Sequence, residues 1–164
     1  VDGTRIIPLL LRSMRIFLTF VKDITMGNIK GIPMYLFLDD VRMPSEAGNY
    51  MNPVSVRPIY RQREWTIVRN YKQFVAALNK VVKEGLELKI VSFDHDLAEV
   101  HYDPSTWREG FKYEEETGYD CAKYMIEFCK MHNVDMPWVL VHSMNPVGKQ
   151  NIQRLFDDYE KHKL

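Results

Sequence analysis

The stretch MYLFLDD, residues 34–40, decides the reading of the fold: an unbroken apolar run, aromatic and aliphatic by turns, that ends in two adjacent acids. A continuous apolar run of that length suits a strand covered on both faces, not one that alternates between core and water. Strands of that kind belong to parallel sheets with helices on either side. The pattern recurs downstream. Leu88 to Phe93 is a second run, apolar apart from Lys89 and Ser92, and ends in Asp94, His95 and Asp96, and Pro137 to Val141 is a third, ending in His142 and Ser143. Trp65 to Arg69 is a shorter β-prone stretch between them.

Helical signals fill the intervals. Asn70 with Gln73 three residues later is an N-cap pattern that opens a helix over Tyr71 to Glu84, with Phe74, Val75, Leu78, Val81 and Val82 as its buried stripe and Gly85 as its stop. Thr117 and Asp120 form a capping box for a helix reaching about His132, with Ala122, Met125, Ile126 and Cys129 at helical spacing. Pro146 stands where the first turn of a last helix, Val147 to His162, tolerates it. The order predicts an α/β domain over residues 34–164: a mostly parallel sheet of four or five strands, flanked by helices in three layers. Arg42 to Glu64, framed by Pro33 and carrying Pro44, Pro53 and Pro58, reads as a long loop, and so does Leu97 to Glu116. In the second loop, Tyr102, Trp107, Phe111 and Tyr113 offer an aromatic wall for a base, or simply pack on the domain.

The bulk properties bound the function classes. A chain of 164 residues, 46% hydrophobic, builds one good core. Lys plus Arg and Asp plus Glu balance at 22 each, so no broad field draws the protein onto extended duplex DNA or an anionic membrane. Arg57, Arg61 and Arg63, interleaved with Tyr60 and Trp65, leave room only for local contact with a nucleotide or RNA end. Cys121 and Cys129 lie two helical turns apart, beyond disulfide reach, and read as core thiols of a cytoplasmic protein. Arg12 and Arg15 interrupt the only stretch resembling a membrane segment, Ile6 to Val21. Residues 1–33 read as an N-terminal extension outside the fold, or as a short helix over Pro8 to Lys22 packed on it.

In an open parallel sheet, ligands bind beyond the carboxyl ends of the strands. Those ends here carry acids, histidines and amides. Asp39, Asp40, Asp94 and Asp96 are hard oxygen donors suited to Mg²⁺ or Mn²⁺. Asp39 and Asp40 also read as solvated loop acids or a turn initiator, Asp96 as a turn cap and His95 as a satisfied half-buried histidine. In extended chain, Asp94 and Asp96 face one side together while His95 faces the other. His95 and His142 are candidate acid–base groups near neutral pH. Ser143, Asn145 and Gly148 precede or open a helix whose first amides favour an anion, although Ser143 or Asn145 equally suits a simple cap. Arg42, Arg69 and Lys149 stand near strand ends and are candidates to neutralise phosphate charge.

Taken in order, LFLDDVRMP (36–44), WTIVRNY (65–71), VSFDHDL (91–97), TGYDCAKYM (117–125) and VHSMNPVGKQNI (141–152) resemble the cyclic-phosphate-processing receiver domain family of phages and bacteria. The resemblance runs from residue 34 to about 160. It implies a receiver-like, flavodoxin-like fold turned from signalling to phosphoester chemistry, with cyclic phosphates such as 2′,3′-cyclic RNA ends or cyclic nucleotides as substrates. Asp39 and Asp40 resemble the metal-binding acids of a receiver, Asp94 its phosphoacceptor, and Ser143 its hydroxyl. His95, Asp96 and His142 depart from the receiver pattern toward catalysis, and only Lys149 stands in for the receiver lysine. The expectation is a hydrolase that uses a divalent ion held by Asp39, Asp40, Asp94 and Asp96, with Asp94, His95 and His142 catalytic. The alternative is a non-catalytic signalling or nucleotide-binding module with Asp94 as phosphoacceptor.

Overall fold

A computed structural model of the chain describes residues 31–98 and 115–162. The Pro8 to Lys22 helix and the aromatic residues of the second loop lie outside them. Four strands form the sheet: β1 (Pro33–Leu38), β2 (Trp65–Val68), β3 (Glu87–Phe93) and β4 (Trp138–Val141). All neighbouring pairs are parallel, in the order β2-β1-β3-β4. The chain thus steps from β1 to one side for β2 and then back across β1 for β3. At that reversal the connections leaving β1 and β3 diverge, which opens a crevice at their carboxyl ends.

Three of the expected helices form as the caps require. In α3 (Tyr71–Glu84) the Asn70 side chain accepts from the Gln73 amide, and Gly85 closes the helix at φ +64°, where a residue without Cβ is favoured. The Thr117–Asp120 capping box opens α4 (Gly118–His132), and Asn145 caps α5 (Pro146–Lys161). The segment read as a loop is different. Arg42 to Glu64 contains α1 (Pro44–Tyr50), a 3₁₀ turn (Val54–Val56) and α2 (Arg57–Gln62). Its prolines are helix starters rather than breakers: Pro44 and Pro58 occupy first-turn positions, where the missing N–H costs nothing.

Strand alternation sorts the core into two layers. Leu36, Leu38, Val91, Phe93 and Val141 point to one face and pack against α3, α4 and α5 through Phe74, Leu78, Met125 and Ile152. Phe37, Ile90 and Leu140 point to the other, against Ala47, Met51, Val56 and Tyr60 of the α1–α2 segment. Each of these large side chains contributes about 1.5–3 kcal/mol by leaving water, so the sheet cannot slip register by one residue without exchanging its two cores. Cys121 and Cys129 are buried. Among the described residues no helix is long and apolar enough to cross a membrane.

Candidate functional site

At the end of β1 the chain turns sharply around its own acid. Asp39 is 0% exposed, and its Oδ1 accepts the amides of Val41 at 2.9 Å and Arg42 at 2.5 Å. Its Oδ2 accepts Arg42 Nε at 2.8 Å and faces His142 Nε2 at 3.2 Å. Burial alone would raise this carboxyl, but His142, the two amides and the Arg42 charge outweigh it and hold Asp39 down at about 2. Asp94, at the end of β3, meets the same arginine through Arg42 Nη2. Here burial wins, reinforced by the Asp39 charge, and the Asp94 carboxyl sits above the ordinary range although His142, Arg42 and Ser143 pull the other way.

Half-buried Asp40 completes the group: one oxygen each from Asp39, Asp40 and Asp94 lies within 4.8 Å of the others. Three carboxylates offset by one guanidinium leave two negative charges, and the donors are hard oxygens, so the cluster fits a divalent cation of the Mg²⁺ or Mn²⁺ kind. Asp96 takes other partners. β3 ends at Phe93, so the extended alternation expected of Asp94 and Asp96 does not continue past it. Asp96 Oδ1 instead lies 2.9 Å from His95 Nδ1 and accepts Asn145 Nδ2 at 3.1 Å.

His142 lies behind the acids, not in front of them. It is 0% exposed, stacked on Phe37 at 4.4 Å, with Nδ1 2.7 Å from Ser92 Oγ. Ser92 in turn meets the Tyr60 hydroxyl at 2.8 Å. A buried polar chain therefore runs from Tyr60 through Ser92 and His142 to Asp39. Burial pushes the Tyr60 phenol up, so it stays neutral. Tyr50 braces the arrangement from the side, accepting Arg42 Nη1 at 2.8 Å and donating to the His142 carbonyl at 3.1 Å; burial raises its phenol to about 12.

The remaining expected residues divide between scaffold and surface. Arg69 donates Nη1 to the carbonyls of Asp39 and Arg42, at 2.8 and 2.7 Å, and so clamps the β1–α1 turn. Ser143 supports Asp94 and accepts the Asn145 amide at 3.2 Å. The first amides of α5, expected to hold an anion, donate to the cap: Val147 and Gly148 give their N–H groups to Asn145 Oδ1 at 3.1 and 3.0 Å. Gly148 is needed for another reason, since a Cβ there would stand 2.2 Å from the His95 ring. Lys149 lines a separate cavity beside Trp138 and Phe156. Sequence reasoning missed Tyr50 and the serine Ser92, and it set Tyr60 among rings for a nucleotide, whereas Tyr60 is 2% exposed and bonded to Ser92. Of the two missed, only Ser92 left a trace, as a hydroxyl inside an otherwise buried strand.

The buried chain makes a sharp prediction. His142→Phe keeps the stack on Phe37 but strips Ser92 and Asp39 of a partner, and is expected to cost about 3 kcal/mol in urea unfolding. Adding Ser92→Ala removes one of the orphaned groups, so the double variant should fall short of additivity by about 1 kcal/mol. Additive losses would mean that the two side chains are not coupled.

The comparisons agree with the geometry. No curated protein and no solved structure matches the chain. The family model of the cyclic-phosphate processing receiver domain matches residues 34–158, which span β1 to the last turns of α5 and include every residue of the acid cluster. The chain therefore belongs to the cyclic-phosphate processing receiver domain family.

Proposed function

We propose that the protein is a divalent-metal-dependent phosphoesterase that hydrolyses cyclic phosphates such as 2′,3′-cyclic RNA ends or cyclic nucleotides. The observation that carries this reading is the gathering of Asp39, Asp40 and Asp94 within one ion's reach, with the Asp96–His95 pair leaving the same strand end. Family membership supports the substrate class. A divalent ion held by the three acids supplies, when bound, charge withdrawal from a phosphoryl oxygen and a more acidic water.

The chain's own residues then divide the work. Arg42 presents a planar guanidinium at the mouth of the cluster, suited to a phosphoryl oxygen as well as to its two carboxylates. Asp96, steadied by Asn145, accepts Nδ1–H of His95 and so assigns proton transfer to Nε2. His95 is thus the group to take a proton from the attacking water and return it to the departing sugar oxygen. His142 positions Asp39. In the reaction, the water oxygen bonds to phosphorus, one ring P–O bond breaks, and the freed alkoxide takes a proton to leave a phosphomonoester.

The test is turnover of a panel of 2′,3′- and 3′,5′-cyclic phosphates by the full chain with Mn²⁺, followed by mass spectrometry of the products. Multiple turnover that stops on addition of a chelator is expected. No turnover of any member overturns the reading. A phosphate adduct on Asp94 from acetyl phosphate, without turnover, replaces it with receiver-type phosphorelay.

A further inference from the structure

Among the described residues β4 stands at an edge of the sheet, and there it lines a cavity of about 390 Å³. The strand itself is the floor. Met51 and Val56 form one wall, and Lys149, Gln153 and Asp157 of α5 form the other. An edge strand presents unpaired N–H and C=O groups, and proteins usually guard such edges with lysine, proline or a bulge. The four residues of Trp138–Val141, which follow Pro137, carry no lysine and no bulge, and the leading tryptophan is 52% exposed. The walls lie on opposite faces of the sheet, so the space between them is shaped for one more extended strand.

The α5 wall says which strand. Lys149, Gln153 and Asp157 follow one another at intervals of four, so they form a single stripe along the helix. The stripe is basic at one end, neutral in the middle and acidic at the other. Neither charged side chain takes part in an ion pair among the described residues. When two copies of an edge strand pair antiparallel, the two-fold axis stands perpendicular to the sheet, and the helices beside the strands face each other antiparallel. An axis through Gln153 then sets Lys149 of each copy opposite Asp157 of the other. The stripe is complementary to itself.

We propose that β4 is the pairing edge of a two-fold homodimer, in which antiparallel β4 strands join two four-stranded sheets into one and Lys149 meets Asp157 across the axis on both sides. The test uses the full chain in sedimentation equilibrium across the micromolar range. Lys149→Glu sets acid against acid at both ends of the interface, and Asp157→Lys sets base against base. Each is expected to weaken the dimer about tenfold. The double variant K149E/D157K restores the complementarity with its polarity reversed and is expected to regain the wild-type dissociation constant. Amide exchange over Val139 to Val141 should slow as the protein concentration rises. A monomer at every concentration overturns the proposal, as does a dimer indifferent to the single changes, a double variant that fails to recover, or β4 exchange that does not respond to dimer formation.

Discussion

Alanine at Gly118 is expected to destabilise the protein by about 3 kcal/mol, the upper range for overpacking a close-packed site, and to disturb the acid cluster at the same time. A Cβ built on Gly118 would stand 1.7 Å from the carbonyl oxygen of Asp94, 2.8 Å from its carbonyl carbon and 2.9 Å from the Cα of His95. All three are backbone atoms with little freedom to retreat. The Asp94 amide donates to Leu38 at 2.8 Å, and the Gly118 amide itself donates to the His95 carbonyl at 2.8 Å. Relief must therefore come from moving the start of α4 or the end of β3, and the second displaces Asp94. Gly85→Ala is the control. Gly85 has φ +64° and nothing within 4 Å of a built Cβ, so its cost is conformational only, about 1–2 kcal/mol. Urea unfolding of both variants, with Mn²⁺ titration of the folded protein, separates the two. Equal costs, with unchanged Mn²⁺ affinity, would show that the close approach of α4 to Asp94 does not hold in solution.

The same glycine illustrates what the sequence conveyed and what it withheld. Strand positions were legible because a strand buried on both faces leaves an unbroken apolar run, and MYLFL is too short for a helix and closes on two acids. The residues at strand ends were legible for the same reason, since open parallel sheets place ligands there whatever the ligand is. Asp39, Asp40 and Asp94 meet because β1 and β3 are neighbours. Within the site, however, two residues apart does not mean same side once the strand has stopped. Asp96 left the company of Asp94 at a bend that local sequence does not announce.

The prolines of the first long connection carried two opposite meanings, breaker and helix starter, and only tertiary packing of Ala47, Val56 and Tyr60 on Phe37 decides between them. That misreading hid the rest. Tyr50 and Tyr60 reach the site from α1 and α2, so with those helices unrecognised there was no path from sequence to the buried chain behind Asp39. Gly118 stands unremarkable between the capping residues Thr117 and Asp120. Its role depends on how closely α4 approaches β3, a distance no periodicity encodes.

Asp94→Asn is expected to separate function from stability. The carboxyl of Asp94 is pushed up chiefly by burial and further by Asp39, so its proton is bound more tightly in the folded protein than in the unfolded chain. Such a group supports folding fully below its unfolded value, and the support is lost as pH rises through the folded value. Once ionised, the side chain is therefore a burden on the fold, one that a neutral amide of the same shape does not impose. The variant should gain stability relative to wild type as pH is raised from acid toward neutral, with Arg42 retained by Asp39 and Tyr50. Function should move the opposite way. Losing one of three acids is expected to weaken Mn²⁺ binding at least about 100-fold by calorimetry, since losing a partner that only supports a ligand already costs about 10–100-fold. Turnover of a cyclic phosphate should fall about 10³-fold, because one of the three charges that gather the ion is gone. Sites that hold like charges together out of water are assembled at the expense of the fold, and the acid whose removal steadies this protein should be the one it cannot work without. A variant that is less stable than wild type at neutral pH and still binds Mn²⁺ would make Asp94 a structural acid, paired with Arg42 for the sake of the turn that both residues anchor.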